Sequence, residues 1–497
     1  MCTPLRVHAP SGPQPGQPAV DLAQYRGAVD VNLEALNQIV GESNVLVDDD
    51  AAPALVDQRG KFRGQSAAVV RPANTDEVAA VMAWCTANDV CVATQGGNTG
   101  LSGGAQIADE RPSIVVSLAR MNTIEEVDAD GWTMTVQAGV TIQAMQESAA
   151  AVGRKFAPDW GARGTATVGG GIATDAGGNN VVRYGNMRDQ VLGLEAVLPD
   201  GRIWDGLRSL RKDSSGYDIK QLFIGSEGTL GIITRAVVKL FPATEHEQSA
   251  LAALRDLDDL MDVFALANEV APDSITAFEL MAETGMARVA DVLELTHPME
   301  ERAEFYVLVK FAGTRPVTDE LTEFLSIAAG RDLITDAIVA TSAEQERKLW
   351  VFREEIPPMN LYPHQAKGLK MDTAVPIAKM GQYHDAVRAI AAELAPDAVA
   401  YGLGHVGDGN LHMMVLPLAD DDVEPFLEVR DELVRRIDEA TFALGGTLSA
   451  EHGVGRELVD RVGDQKPAIE WEMMRSIKAT FDPDNRLNPG AVIPPVG

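Results

Sequence analysis

The segment Gly404-His405-Val406-Gly407-Asp408-Gly409-Asn410-Leu411-His412 constrains this chain more than any other. Asp-Gly between two apolar runs, here Ala398 to Leu403 and Leu411 to Leu416, is a strong hairpin signal, with Gly407 to Asn410 as the expected loop. In that register His405 and His412 are directly opposed. Opposed residues share one face with Cβ atoms about 4.5–5.5 Å apart, a span that two imidazoles can close onto one cation. Glu451, followed by His452 and Gly453, is the nearest acidic candidate to complete such a set. Unligated surface or packed histidines are the other reading of the same hairpin. Two histidines and a glutamate are also the ligands of zinc hydrolases, but those carry His-Glu-x-x-His on a helix, and that string is absent.

At 497 residues the chain exceeds one ordinary core, and two or three domains are expected. Its 45% hydrophobic content suffices for burial, while no run of about eighteen uninterrupted apolar residues exists for a membrane span. A soluble globular protein is expected. The formal net charge of -31 opposes nucleic acid and anionic lipid as general partners, so a small anionic substrate would need locally placed cations. Much of that charge is equally well read as solubility. The cysteines, Cys2, Cys85 and Cys91, are sparse and lack metal spacing; a reducing compartment follows, with no disulfide framework. Met1 to Pro18 is rich in Pro and Gly without an apolar core, which reads as a mobile tail and not a secretory signal. The expected location is cytoplasmic.

Periodicity divides the remainder in two. From about Lys61 to Pro242, β-rich runs (Ala67 to Val70, Cys91 to Thr94, Ile114 to Ser117, Thr133 to Ala138, Gly193 to Leu198) alternate with helices at Thr75 to Asn88 and Thr141 to Ala151. Asn74-Thr75-Asp76-Glu77 starts the first helix, because Asn or Thr can cap while acidic groups meet the positive end of the dipole. From about Glu245 to Ala450, strands such as Phe305 to Phe311 alternate with longer helices, including Asp420 to Leu444, as in an α+β domain. The turn-rich end, Phe481 to Gly490, is expected to pack back on an earlier element.

Three glycine clusters lie in the first of these regions. Gln95 to Gly104 follows the apolar run Val90 to Ala93, so a glycine-rich loop leaves a strand; Thr167 to Gly178 and Gly225 to Thr234 repeat the pattern of small residues and hydroxyls. Such loops let backbone N–H groups approach an anion, as a pyrophosphate cradle requires. Any one of them alone is as well read as a tight turn. In this region Gly-x-Gly-x-x-Gly is missing and no lysine occurs between Lys61 and Lys155, so neither a Rossmann fingerprint nor a Walker loop fits. Three loops together suit a long cofactor with phosphates in its middle.

Gly96 to Gly104, Gly169 to Gly178 and Lys212 to Thr234 resemble the FAD-domain strings of the vanillyl-alcohol oxidase and p-cresol methylhydroxylase type of FAD enzyme, over nearly the whole chain after the tail. His-Val-Gly-Asp-Gly-Asn-Leu-His and Glu-His-Gly-Val-Gly-Arg resemble the D-2-hydroxy-acid dehydrogenase branch, which includes D-2-hydroxyglutarate dehydrogenase, D-lactate dehydrogenase and the D subunit of glycolate oxidase. The resemblance implies an α+β protein: a tail over 1–30, a two-subdomain PCMH-type FAD-binding domain over 31–243, an α+β substrate (cap) domain with an antiparallel sheet over 244–455, and a segment 456–497 returning toward the FAD domain. It further implies non-covalent FAD contacted by Gly96, Gly97, Asn98, Thr99, Gly100 and Ser102, by Pro158 and Asp159, by Gly169, Gly170, Thr174 and Gly177, by Glu227, Gly228 and Ile233, and by Asn488. No histidine lies between His8 and His246 to carry a covalent flavin link. By the same resemblance His405, His412 and Glu451 ligate Zn2+ or Mn2+, and His452 is the base. Arg353, in Leu349 to Ile356, and Lys370, in Leu369 to Asp372, match cations that hold a substrate carboxylate, with Asn410 as a further contact. Where the hydroxyglutarate enzymes carry a threonine four residues after that arginine, this chain has Pro357, which offers neither hydroxyl nor N–H.

The chemistry is coherent with those assignments. Oxidising a secondary alcohol beside a carboxylate needs removal of the hydroxyl proton and departure of hydride from the same carbon. A metal can lower the hydroxyl pKa and fix its orientation, a histidine free of the metal can take the proton, and a flavin can carry the electrons. Glu451 and His452 are adjacent and would point apart in extended chain, so a bend is expected, and Gly453 and Gly455 make one available. The expected activity is oxidation of a D-2-hydroxy acid, D-2-hydroxyglutarate first, with D-lactate and glycolate behind it. Electrons would pass to an electron-transfer flavoprotein, a quinone or a cytochrome, and a homodimer is one compatible assembly. An alkyl-dihydroxyacetonephosphate synthase of the same superfamily and a non-catalytic flavin subunit are the alternatives.

Overall fold

The computed structural model describes residues 31–107, 111–356 and 361–494. Pro357 and Cys2 lie outside them, as does the expected tail. Three large sheets and a two-stranded one, Arg154–Lys155 with Phe241–Pro242, organise the described chain. A four-stranded sheet has the order Val45–Leu46, Ala68–Val70, Ser113–Ser117, Cys91–Gln95, and its last three strands are parallel. Parallel strands are buried on both faces, which is why these segments read as continuous apolar runs. The helix Thr75–Ala87 connects two of them, capped as its sequence predicts: the Asn74 side chain accepts from Glu77 N at 2.9 Å and the Glu77 carboxylate accepts from Ala73 N at 2.8 Å.

An antiparallel five-stranded sheet follows, in the order Ile124–Asp128, Thr133–Gln137, Ile232–Lys239, Val191–Val197, Ile203–Gly206. Its inner face packs under the helix Ile142–Ala151 and the Val168–Thr174 helix. Here the structure departs from expectation. The first part of the second glycine cluster, Val168–Thr174, is a short helix and not a loop: Gly171 N donates to Thr167 O, and a Cβ on Gly169 would stand 2.6 Å from that of Ala138. Those glycines bring a helix close to a strand, and the helix ends at Asp175 with φ of 54°.

An antiparallel eight-stranded sheet fills the second half, in the order Ile334–Val339, His246–Leu254, Phe305–Gly313, Ile275–Ala282, Ala398–His405, Asn410–Pro417, Leu369–Lys370, with Thr373–Ala374 also on the Asn410–Pro417 strand. The helix Met380–Leu394 covers one face, where the missing side chain of Gly402 leaves room for His384. Toward the first half, the short helix Val181–Tyr184 packs on the strand Ile275–Ala282 and on the hairpin turn. Residues 486–488 return to the parallel sheet: Arg486 O accepts from Val92 N at 2.9 Å and Asn488 N donates to Val92 O at 2.8 Å. Cys85 and Cys91 are buried. Among the described residues no helix is long and apolar enough to cross a membrane.

Candidate active site and metal centre

The hairpin forms, in a different register from the expected one. The turn tightens into a 3₁₀ turn over Val406–Asp408, Gly409 takes φ of 79°, and the Asp408 carboxylate accepts from Asn410 N at 3.1 Å. Pairing therefore resumes at Asn410, one residue early. His405 faces Asn410 and His412 faces Leu403, so the two imidazoles are diagonal and not directly opposed. The period of two keeps them on one face, and their ring centroids lie 5.7 Å apart.

The neighbouring strands extend this face. Glu279 is opposite His405, and its carboxylate accepts from His405 Nδ1 at 2.8 Å and from Arg353 Nε at 2.7 Å. Burial alone would lower the His405 pKa, but the adjacent Glu279 charge and hydrogen bond outweigh it and raise it to about 9. Nδ1 is turned to Glu279, and Nε2 faces Glu451 and Arg353. Burial holds the His412 pKa down to about 4, against the pull of Asp372 and Glu451, which leaves a neutral imidazole at neutral pH. On the far side of His412 lies Asp372, with Oδ1 at 3.7 Å from His412 Nδ1.

Glu451 arrives from a different part of the chain. Its Oε1 lies 3.9 Å from His405 Nε2, 3.6 Å from His412 Nε2 and 3.8 Å from His452 Nε2. Its other oxygen accepts from Gly178 N at 2.9 Å, so the second glycine cluster touches the carboxylate directly. The expected bend between Glu451 and His452 is present, and Gly453 leaves it with φ of 82°. The His452 ring stacks on that of His412, centroids 5.6 Å apart, and its Nδ1 lies 3.5 Å from Asp372 Oδ2. Asp372, His412, Glu451 and His452 thus offer donor atoms mutually within 4.8 Å. That half-buried group does not include His405, whose Nε2 stands 3.9 Å from Glu451 Oε1; imidazole nitrogens and a carboxylate converging on one point are nonetheless a donor set of the kind that suits a divalent ion.

Arg353 is 5% exposed, locked to Glu279, with Nη2 at 3.4 Å from His405 Nε2. Lys370 is exposed at the end of its strand, opposite Met414 and two residues before Asp372. Asn410 is 3% exposed; its Nδ2 donates to Asp372 Oδ1 and Thr373 O, while its Oδ1 has no hydrogen-bond partner.

The expected cofactor residues surround the same point. A Cβ on Gly97 would sit 1.9 Å from Thr165 O and one on Gly96 2.2 Å from Thr167 Oγ1, so the first glycine loop abuts the start of the second cluster. Thr94 Oγ1 and Thr167 Oγ1 are buried without hydrogen-bond partners. These small residues and unused hydroxyls fit a cofactor laid against the two clusters. Gly100 has open space about it, and no atom other than Thr167 Oγ1 crowds Gly170. Ser102 Oγ donates to the carbonyls of His452 and Gly453, which ties the first loop to the catalytic bend. A Cβ on Gly177 would stand 2.9 Å from Glu451 Oε2. Gly228, with φ of 72°, faces Thr94, and a cleft of about 450 Å³ opens beside Thr174, Glu227 and Gly453.

Several of the expected contacts are also engaged by the protein itself. Asn98 donates to Val56 O, Thr174 Oγ1 to Gly170 O, and Asp159 pairs with Arg163 at 3.0 Å. Pro158 O accepts from Gln146, and Ile233 is a buried strand residue opposite Ala196. Glu227 accepts from Val454 N and Gly455 N, and Asn488 donates to Gly104 O and Glu227 O. Sequence reasoning missed Glu279 and Asp372. Glu279 is the lone charge in Ile275–Ala282, which is itself a signal, since a glutamate buried in an apolar strand needs a partner.

Residues 243–492 match the family described as FAD linked oxidases, C-terminal domain, and residues 66–206 match the FAD binding domain. Among curated proteins, the chain is 34% identical over 472 residues to D-2-hydroxyglutarate dehydrogenase, mitochondrial, of Bos taurus, covering 93% of this chain and 83% of that one. It is 35% identical over 434 residues to the D-2-hydroxyglutarate dehydrogenase of Xanthomonas citri pv. viticola, covering 85% and 88%. Among solved structures, p-cresol methylhydroxylase with substrate bound superposes with a TM-score of 0.70 at 16% identity, over 92% of this chain and 95% of that one, a likeness of fold. The chain belongs to the FAD-linked oxidases, in the branch that contains the D-2-hydroxyglutarate dehydrogenases.

Proposed function

We propose that this flavoprotein oxidises a D-2-hydroxy acid, D-2-hydroxyglutarate foremost, to the 2-oxo acid in a divalent-metal-dependent reaction. The observation that carries the reading is the convergence on Glu451: three imidazole Nε2 atoms within 3.9 Å of one oxygen, and a glycine N–H of the FAD domain on the other. His405, His412 and Glu451 are the residues that would hold Zn2+ or Mn2+, which when bound acts as a Lewis acid and template on the substrate oxygens. FAD, when bound, takes up the hydride that leaves the carbinol carbon.

The rest is done by side chains. His452, with Nδ1 toward Asp372, takes the hydroxyl proton at Nε2; the two C–H electrons leave with the hydrogen, and the carbinol becomes a carbonyl. Arg353 is held in place by Glu279 and brings positive charge to the His405 side of the site. Lys370, exposed at the end of its strand, supplies a second cation for a carboxylate. Asn410 Oδ1, buried and unpartnered, accepts from a substrate hydroxyl. The electrons then pass to an electron-transfer flavoprotein, a quinone or a cytochrome.

Purified protein should be yellow, should lose substrate-driven bleaching to a chelator and regain it with Zn2+ or Mn2+. His452→Ala should retain FAD while bleaching slows roughly 10²- to 10⁴-fold. Wild-type bleaching by that variant would remove the base, and bleaching by D-lactate or glycolate but not D-2-hydroxyglutarate would move the substrate.

A further inference from the structure

Successive residues of an extended chain point to opposite sides, yet Glu451 and His452 both face His412. The glycines at 453 and 455 permit the turn; they do not hold it. Three consecutive backbone N–H groups, of Ala450, Glu451 and His452, converge on a single oxygen, Asp372 Oδ2, at 3.2, 3.0 and 2.8 Å. Successive amides aimed at one anion make a concave cradle, and hydrogen bonds to a charged acceptor are roughly twice as strong as neutral ones. Asp372 Oδ1 takes a fourth N–H, from Asn410 at 3.1 Å, and the Asp372 backbone carbonyl accepts from Ala450 N at 3.0 Å.

Resting on the function proposed above, we infer that Asp372 is the positioning residue that turns a metal ligand and the base onto the same side of the chain. Its carboxylate is 8% exposed; Oδ2 is taken up by three backbone N–H groups, and Oδ1 already accepts from Asn410, so both oxygens are engaged in holding the bend. Proximity to His412, Glu451 and His452 is therefore a consequence of holding the bend, and the ion belongs to His405, His412 and Glu451. Because Asn410 is tied to the same carboxylate, Asp372 also fixes the hairpin tip relative to the bend.

Two variants of the FAD-loaded protein separate anchoring from ligation. Asp372→Ala removes the acceptor; Asp372→Asn keeps one oxygen for the three backbone amides but is a poor ligand. In Asp372→Ala, Zn2+ affinity measured against a chromophoric chelator and the maximal rate of flavin bleaching should each fall roughly 10- to 100-fold, with FAD stoichiometry unchanged. Asp372→Asn should retain the ion and bleach at a rate between the two. Loss of Zn2+ from Asp372→Asn as complete as from Asp372→Ala would overturn the inference in favour of direct ligation, and wild-type behaviour of Asp372→Ala would overturn it outright. If Asp372→Ala does not fold, Asp372→Asn alone decides, retention of the ion supporting the inference and loss overturning it. A wild-type protein that holds no divalent ion and is bleached by no hydroxy acid would bring down the proposed function together with this inference. With a wild type that does both, any failure of the variants to behave as expected falls on the role of Asp372 alone.

Discussion

At the scale of single residues, the site depends on side chains that never touch a reacting atom. Glu279 is 1% exposed and satisfies two cations at once, His405 through Nδ1 and Arg353 through Nε. Replacing it by glutamine keeps the shape but leaves the Arg353 guanidinium buried without a counter-charge, a change that costs about 3–5 kcal/mol in stability. It also frees the His405 ring to change tautomer. Glu279→Gln should therefore lower the unfolding midpoint and weaken Zn2+ binding about 10- to 100-fold, read by denaturant melts and chelator competition. Unchanged metal affinity would show that the tautomer of His405 is set elsewhere. His405, His412 and Glu451 were legible because Asp-Gly between apolar runs announces a hairpin and because their motifs resemble a known branch. Glu279 was not, since it joins His405 across 126 residues and only the strand order makes them neighbours.

At the scale of elements, regular segments followed their periodicity and the glycine-rich ones did not. The strands Cys91–Gln95 and Ser113–Ser117 and the helices Thr75–Ala87 and Asp420–Ala443 stand within a residue of the expected bounds. Their apolar spacing and caps are local, so local reading suffices. The hairpin register slipped because a carboxylate and a 3₁₀ turn, neither visible as a pattern, decide where pairing resumes. The segment around Gly169 is helical and packs closely on Ala138, the residue that follows the strand Thr133–Gln137. Glycines of one loop thus serve different ends, and substitution separates them. Gly97→Ala would drive a Cβ to 1.9 Å from Thr165 O, backbone that cannot rotate away, and should destabilise by about 1–3 kcal/mol or more and strip FAD. Gly100→Ala meets nothing within 4 Å and should change stability by no more than about 0.5 kcal/mol. Thermal melts and the flavin absorbance of the purified variants read both, and equal losses would mean that crowding does not govern this loop.

At the scale of the whole molecule, the two halves are interlocked by chain that belongs to none of the large sheets. Ser102 of the first half holds the carbonyls of His452 and Gly453, and Glu227 holds the amides of Val454 and Gly455. Asn488, from the returning end, closes the lock: Nδ2 donates to Gly104 O and Glu227 O, while Oδ1 accepts from Arg456. The turn-rich composition of Phe481 to Gly490 announced a segment that packs back, but not its target, because the partners are backbone carbonyls that leave no mark in a sequence. This arrangement makes the catalytic bend a shared possession of both halves, so loosening it should uncouple flavin binding from the cap. Asn488→Ala deletes three side-chain hydrogen bonds and leaves two carbonyls and a guanidinium short of partners in a site 1% exposed. At about 1 kcal/mol for each bond, the loss is on the order of 3 kcal/mol, a large share of the roughly 5–15 kcal/mol that holds a typical protein folded. In urea, flavin release and tryptophan fluorescence should change together in the wild type, as one cooperative unit requires. In Asn488→Ala flavin release should come first, at lower urea; coincident transitions in the variant would mean that the halves are held together by their sheet contacts and not by the returning strap.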